Sequence, residues 1–340
     1  MLFDLRPKEN RKDLFGREKE LQELERLATS EWVAIVGARM TGKTSLVKTF
    51  VAEKSRRGNV IALYVNLLGA KGIRDFVAKL SESLSYKVTS QEISLKLPFV
   101  EVTKSLRLVE GIFSQLKSMK KDVIIVLDEV QELYRVSGQF LKMLKMIHDT
   151  YPKVRFIFTG SMFGLMRTLL QPKVSSPMYG RKPARIELAP FPEEVSMNFL
   201  RSGFKELGTR IEEDELEEVV GMLDGYVGWL TYYGNFRCIR KISRETALEE
   251  VVREGKKVVN EELKNFLKGR NKEAYMTVLR SAAMGARWGE IKRALERKFG
   301  EFNNKRVSDI LDVLIASMFI EKRGRVYIVP DPVLKKAVLD

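Results

Sequence analysis

The sequence predicts an α/β domain with a parallel sheet, then an all-helical segment and a C-terminal winged helix, and three observations carry that expectation. Short apolar runs rich in Val and Ile alternate with longer helical patterns through the first half, the order that a sheet wrapped by helices requires. A glycine-rich turn, GARMTGKT at residues 37–44, falls between the first apolar run and the first helical pattern. Beyond Pro190 and Pro192 the strand-like runs stop, and helical patterns follow until a short hairpin turning at Gly324.

The runs at residues 32–36 (WVAIV), 60–65 (VIALYV), 123–127 (VIIVL) and 154–158 (VRFIF) are nearly continuous in apolar side chains, as befits strands buried on both faces. A fifth candidate strand covers residues 185–189. Helical patterns occupy residues 43–54, 73–85, 99–119 and 139–149 between them. The second segment carries helices at residues 193–207, 212–223 and 245–268. The third carries helices at residues 274–284, 289–298 and 304–317, then a hairpin at 319–329. The expected domains are therefore residues 1–190, 191–268 and 269–340.

Composition narrows the function classes. The chain of 340 residues is 44% hydrophobic, enough for a sizeable core. No apolar run is long enough to span a bilayer, and the N-terminus lacks a basic flank followed by an apolar stretch, so a membrane role is not expected. A single cysteine, Cys238, excludes an internal disulfide and points to a reducing cytoplasm; with one histidine as well, a Cys/His zinc site is not expected. Sixty Lys and Arg against 45 Asp and Glu leave +15, which favours polyanionic partners. The abundance of charge also suits the ion-pair-rich surface of a thermophile, but that does not account for the imbalance.

Residues 37–44 fit G-x-x-x-x-G-K-[ST] without a mismatch, behind an apolar strand and ahead of a helix. Glycine at Gly37 and Gly42 lets the backbone turn tightly and approach a phosphate. The main-chain N–H groups of Gly37, Ala38, Arg39, Met40, Thr41, Gly42, Lys43, Thr44 and Ser45, with the positive end of the next helix, would then form an anion cradle. Lys43 is placed to reach the β- and γ-phosphates of ATP, and the Thr44 hydroxyl to ligate Mg²⁺.

The strand at 123–127 delivers Asp128 and Glu129 at its C-terminal end, where ligands bind in open α/β sheets. Asp128 would hold Mg²⁺ through water, and Glu129 would polarise the attacking water as a general base. A helix N-terminus carrying acids to complement its dipole is the plainer reading of such a pair.

The chain resembles the archaeal ATPase family, a branch of the STAND class of P-loop NTPases related to AAA+ ATPases and archaeal replication initiators. The resemblance runs nearly end to end. It rests on Pro7-Lys8 with DLFGRE at 13–18, on the phosphate loop, on the VQEL that follows Glu129, on Thr159-Gly160-Ser161, on SPMYGR at 176–181, and on residues 225–230. It implies that the N-terminal motif, with Phe15 and Arg17, lies against the adenine, and that Ser161 or Thr159 senses the γ-phosphate. A capping Ser or Thr is the alternative for that pair. Arg181 stands where AAA+ relatives carry an arginine finger, in cis or in trans, although Lys182 and Arg185 beside it also suit a solvated basic loop. One departure stands out: the lid motif of STAND relatives is Gly-x-Pro, and Val227 stands where that proline is expected. Tyr226 and Trp229 offer apolar surface nearby, either for adenine or for the core of a helical lid.

Residues 266–340 hold 16 Lys and Arg against 9 Asp and Glu, a net +7. In a winged helix the third helix enters the major groove and the wing touches backbone or minor groove. Asn304, Lys305 and Arg306 at the start of that helix, with Asn303 and Ser308, and Lys322, Arg323 and Arg325 on the wing, are the expected contacts to double-stranded DNA. A winged helix that serves only protein contacts, with a protein partner or in a homo-oligomer, is the alternative. The expected function is an ATP-binding and ATP-hydrolysing switch, with ATP/ADP and Mg²⁺ at the phosphate loop; a DNA-binding regulator with a mainly structural nucleotide site is the competing class.

Overall fold

The computed structural model describes residues 1–90, 105–118, 121–160, 162 and 164–340. They form two compact units. One comprises Pro7–Gly37 and Gly42–Leu188; the other comprises Met1–Arg6, Ala38–Thr41 and Ala189–Asp340.

The first unit is built on five parallel strands: β1 (Val33–Gly37), β2 (Val60–Asn66), β3 (Asp122–Asp128), β4 (Val154–Thr159) and β5 (Ala184–Leu188), in the spatial order β2-β3-β4-β1-β5. β1 and β3 are buried almost throughout, which is why their sequences run apolar without alternation. The register pairs Asn66 with Asp128, and Ile35 with Thr159, so the C-terminal strand ends gather on one edge. The helices are α1 (Glu18–Leu27), α2 (Lys43–Arg57), α3 (Ile73–Ser90), α4 (Ser105–Ser118), α5 (Ser137–Thr150) and α6 (Leu165–Leu170). The helix expected over residues 99–119 is described as α4; its flanks lie outside the described residues. α1 was not anticipated, although Leu21, Leu24 and Leu27 repeat at helical spacing and are buried against β1 and α2 residues such as Ile35, Leu46 and Phe50.

The second unit contains α7 (Glu193–Glu206), α8 (Glu213–Leu223), α9 (Val227–Gly234), a π-helical turn at Asn235–Ile239, and α10 (Arg244–Phe266). The winged helix follows: α11 (Lys272–Ala283), β6 (Ala286–Arg287), α12 (Trp288–Phe299), α13 (Asn304–Ala316), β7 (Glu321–Arg323), β8 (Val326–Ile328) and α14 (Pro332–Leu339). β6 adds a third strand to the expected hairpin, in the order β6-β8-β7. α14 is capped by Asp331, with Pro332 at its first position, and it packs on α10. That packing joins the expected helical and winged-helix segments into one unit.

Two short pieces depart from the expected 1–190 domain. Phe3 is fully buried, edge-on to Phe199 and Phe204 at 5.6 and 5.7 Å, and its carbonyl accepts the Asn235 side-chain amide at 2.9 Å. Those contacts tie Met1–Arg6 to the helical unit. Ala38–Thr41, the tip of the phosphate loop, groups there as well.

Candidate functional site

The loop after β1 closes as the G-x-x-x-x-G-K-T pattern requires. Gly42, the N-cap of α2, takes φ +94, a left-handed conformation that favours glycine. Gly37 does not; the loop's other left-handed residue is Met40, at φ 64. The Lys43 ammonium folds across the loop and donates to the Gly37 carbonyl at 2.8 Å, and the Thr41 hydroxyl donates to Ala38 O at 2.8 Å. Lys43, Thr44 and Ser45 form the first turn of α2, whose N–H groups lack intrahelical partners. Ser45 Oγ accepts the Lys8 N–H at 3.1 Å, and Thr49 donates to Lys8 O, so the N-terminal motif runs along this helix. Phe15 is half-buried in that motif.

Opposite the lysine's helix stands Asp128, only 3% exposed at the end of β3. The Thr44 hydroxyl donates to its Oδ2 at 3.1 Å, and the Tyr64 hydroxyl to the same oxygen at 2.6 Å. Its Oδ1 accepts from the Thr159 hydroxyl and from the Glu129 N–H, the latter at 3.1 Å. Burial and the neighbouring Asp128 carboxylate push the Tyr64 phenol well above its usual range, so it remains a donor. Glu129 sits at φ 58 and its carboxylate accepts from the Gln131 side-chain amide. A left-handed backbone on a glutamate is uncommon and clusters at functional sites.

Thr44 and Asp128 offer a hydroxyl and a carboxylate oxygen to one point, the hard donor set that suits Mg²⁺ when phosphate oxygens and water complete the shell. Among the described residues there is no group of three or more His, Cys, Asp and Glu able to hold a metal alone.

Three further sequence candidates have these places in the structure. Thr159 touches Asp128 and therefore positions that carboxylate; Ser161, the other sensor candidate, lies outside the described residues. Arg17, at the N-cap of α1, is buried to 4% exposure and pairs with Glu20 of that helix at 2.8 Å. Arg181 is not brought to the phosphate site. It pairs with Asp149 at 3.0 Å and lines a cleft of about 320 Å³ with Trp32, His148 and Arg155, at the N-terminal end of the strands. The five residues of β1 separate that end from the phosphate loop by roughly 16 Å, at about 3.3 Å per residue, so Arg181 stands at the opposite end of the sheet from its own chain's phosphate loop.

Tyr64 escaped the sequence reading. The available signal was a hydroxyl-bearing aromatic in an otherwise aliphatic buried run, since a buried phenol needs a partner. Its register opposite Val126 puts it on the face of Asp128, two residues on.

In the second unit, Tyr226 and Trp229 are 1% and 0% exposed and belong to the core. Val227 starts α9 in the place of the missing proline. On the winged helix, Asn304, Lys305, Arg306 and Ser308 are exposed in the first two turns of α13, and Lys322, Arg323 and Arg325 are exposed on the wing. Arg323 pairs with Glu321, Arg306 lies over the Phe302 ring at 5.1 Å, and Lys322 over Tyr327 at 5.6 Å.

No helix among the described residues is long and apolar enough to cross a membrane. Residues 14–232 match the family described as an ATPase domain predominantly from Archaea, and residues 268–328 match the MCM protein C-terminal winged helix-turn-helix domain. No curated protein is similar in sequence. Among solved structures, a Walker-type ATPase of Pyrococcus abyssi is 27% identical, with 99% of each chain covered and a TM-score of 0.84. The ORC2 protein of Aeropyrum pernix in ADPNP–ADP complexes is 15% identical over 99% of this chain and 95% of that one, at 0.70. The ORC1 protein of the same organism in complex with DNA is 18% identical over 96% and 92%, at 0.51. With its Walker-type loop, its acidic strand end and a match spanning well over half its length, the chain belongs to the family of ATPase domains found predominantly in Archaea.

Proposed function

We propose that this protein is a MgATP-driven switch: it binds MgATP at Gly37–Ser45 and Asp128, hydrolyses it with Glu129 as general base, and its nucleotide state sets how the winged helix engages double-stranded DNA. The observation that carries the reading is the pairing of Thr44 with Asp128 beside a closed loop, with Glu129 held next to them by Gln131. Mg²⁺, when bound there, would neutralise phosphate charge; Lys43 and the loop amides would orient the phosphates, and Glu129 would accept the proton of the attacking water. Differential affinity for ATP and ADP would supply the energy of the switch. The net +7 of residues 266–340 and the exposed cations of α13 and the wing support DNA as the partner.

A second reading has the winged helix meeting a protein. It is favoured by the engagement of Arg323 with Glu321 and of Arg306 and Lys322 with aromatic rings, since each contact must give way before the cation can reach a phosphate.

The test is ATP turnover with and without duplex DNA, and DNA affinity with ATP, ADP and no nucleotide. Glu129→Gln is expected to keep ATP affinity and lose turnover by about 100-fold or more. Undiminished turnover in that variant removes Glu129 as the base, and a DNA affinity indifferent to nucleotide removes the switch.

A further inference from the structure

The tip of the phosphate loop is held from outside the loop. Met40, in its left-handed conformation, presents its carbonyl to the Gly228 N–H at 2.9 Å. Gly228 is the second residue of α9, so this N–H is one of those a helix cannot satisfy internally. The approach is close enough to require glycine: a Cβ at 228 would meet Met40 Cε at 2.6 Å and Met40 Cβ at 2.8 Å. One residue earlier in the loop, the Arg39 guanidinium pairs with Glu262 on α10, a carboxylate 13% exposed. α9 is itself fixed, because the Trp229 indole donates to Asp331 at 3.2 Å.

From these contacts we infer that Gly228 and Glu262 are positioning residues for the phosphate loop, setting the backbone of Met40 and the side chain of Arg39 in the shape that receives a nucleotide. The lid segment then acts through Gly228 and the loop's main chain, one residue after the Val227 that stands where a proline facing adenine is expected. Pre-forming the loop lowers the ordering cost of binding, since its amides need not be gathered when the phosphates arrive. This deepens the proposed function and rests on its MgATP-binding step, but on neither hydrolysis nor DNA.

The experiment is equilibrium binding of ADPNP with Mg²⁺ to the full chain, read below the melting temperature of each variant. Gly228→Ala is expected to weaken binding by about tenfold, although alanine is the better helix former. Met40→Gly in that background removes the colliding atoms and suits the left-handed backbone, so the double variant should recover to within about threefold of wild type. Wild-type affinity in Gly228→Ala, or no recovery in the double variant, overturns the inference. Should Gly228→Ala fail to fold, the Arg39→Gln and Glu262→Gln pair decides: effects on affinity that miss additivity by at least about threefold support the hold, and additive effects refute it. Absence of nucleotide binding by the wild type would instead defeat the MgATP reading itself, a separate and recognisable failure.

Discussion

Asp128 and Asp331 carry the same side chain at nearly the same burial, 3% and 5% exposed, but the donors around them differ in kind. Asp331 accepts the Val333 and Leu334 N–H groups at 2.8 and 3.2 Å and the Trp229 indole, so it is a helix cap whose partners are fixed by the backbone and a buried ring. Asp128 accepts one backbone N–H, from Glu129, but its other three donors are hydroxyls, from Thr44, Tyr64 and Thr159, and one of them belongs to the helix that follows the phosphate loop. Hydroxyls rotate and can turn a lone pair toward a cation, whereas backbone N–H groups cannot. Burial of an acid is therefore a poor guide to function; the mobility of its donors is a better one.

The contrast is broken most directly at the acids themselves. Asp128→Asn should reduce Mg²⁺-dependent ATP turnover by at least about 100-fold while changing the melting temperature little, because the amide keeps an acceptor and the hydroxyls can reorient. Retained turnover across a Mg²⁺ titration would make Asp128 structural, like its counterpart.

Asp331→Asn should do the reverse. Burial, opposed by its backbone and indole hydrogen bonds, pushes the Asp331 carboxyl up to about 6 from 3.8. The folded protein then binds a proton more readily than the unfolded chain, so this group's contribution is most favourable below about pH 4 and is lost as pH rises through about 6, by roughly 3 kcal/mol. Asparagine caps helices well and does not ionise, so the variant's stability should lack this dependence and exceed wild type at pH 8. Denaturant melts at pH 4, 6 and 8 check it; parallel pH profiles in the two proteins would contradict the assignment.

The exposed cations of the winged helix extend the comparison to charges that rely on no preset donor geometry. Reversing Lys322, Arg323 and Arg325 to Glu should weaken duplex DNA binding by about 30-fold at low salt and flatten its salt dependence. An unchanged isotherm would favour a protein-facing surface. The smallest effect is expected for Tyr64→Phe, which removes one hydroxyl from Asp128 and should shift the Mg²⁺ requirement of ATP binding by about fivefold, corresponding to about 1 kcal/mol. Titrations that superimpose on wild type would leave Tyr64 a packing residue.

The sequence by itself determined the parallel-sheet unit, the phosphate loop and the acidic strand end, because these follow from local pattern: apolar runs of strand length, glycine at a forced turn, and charge placed where a strand stops. It also foresaw a winged helix from three helical periods and a glycine-turned hairpin. The tertiary structure alone decided that Tyr64 and Thr159 share Asp128, that Arg181 lies at the far end of the sheet, and that Met1–Arg6 and the loop tip belong with the helical unit. Strand order and register make those contacts, joining residues as far apart in the chain as Phe3 and Asn235. Local periodicity records which face a residue occupies but not which neighbour that face meets.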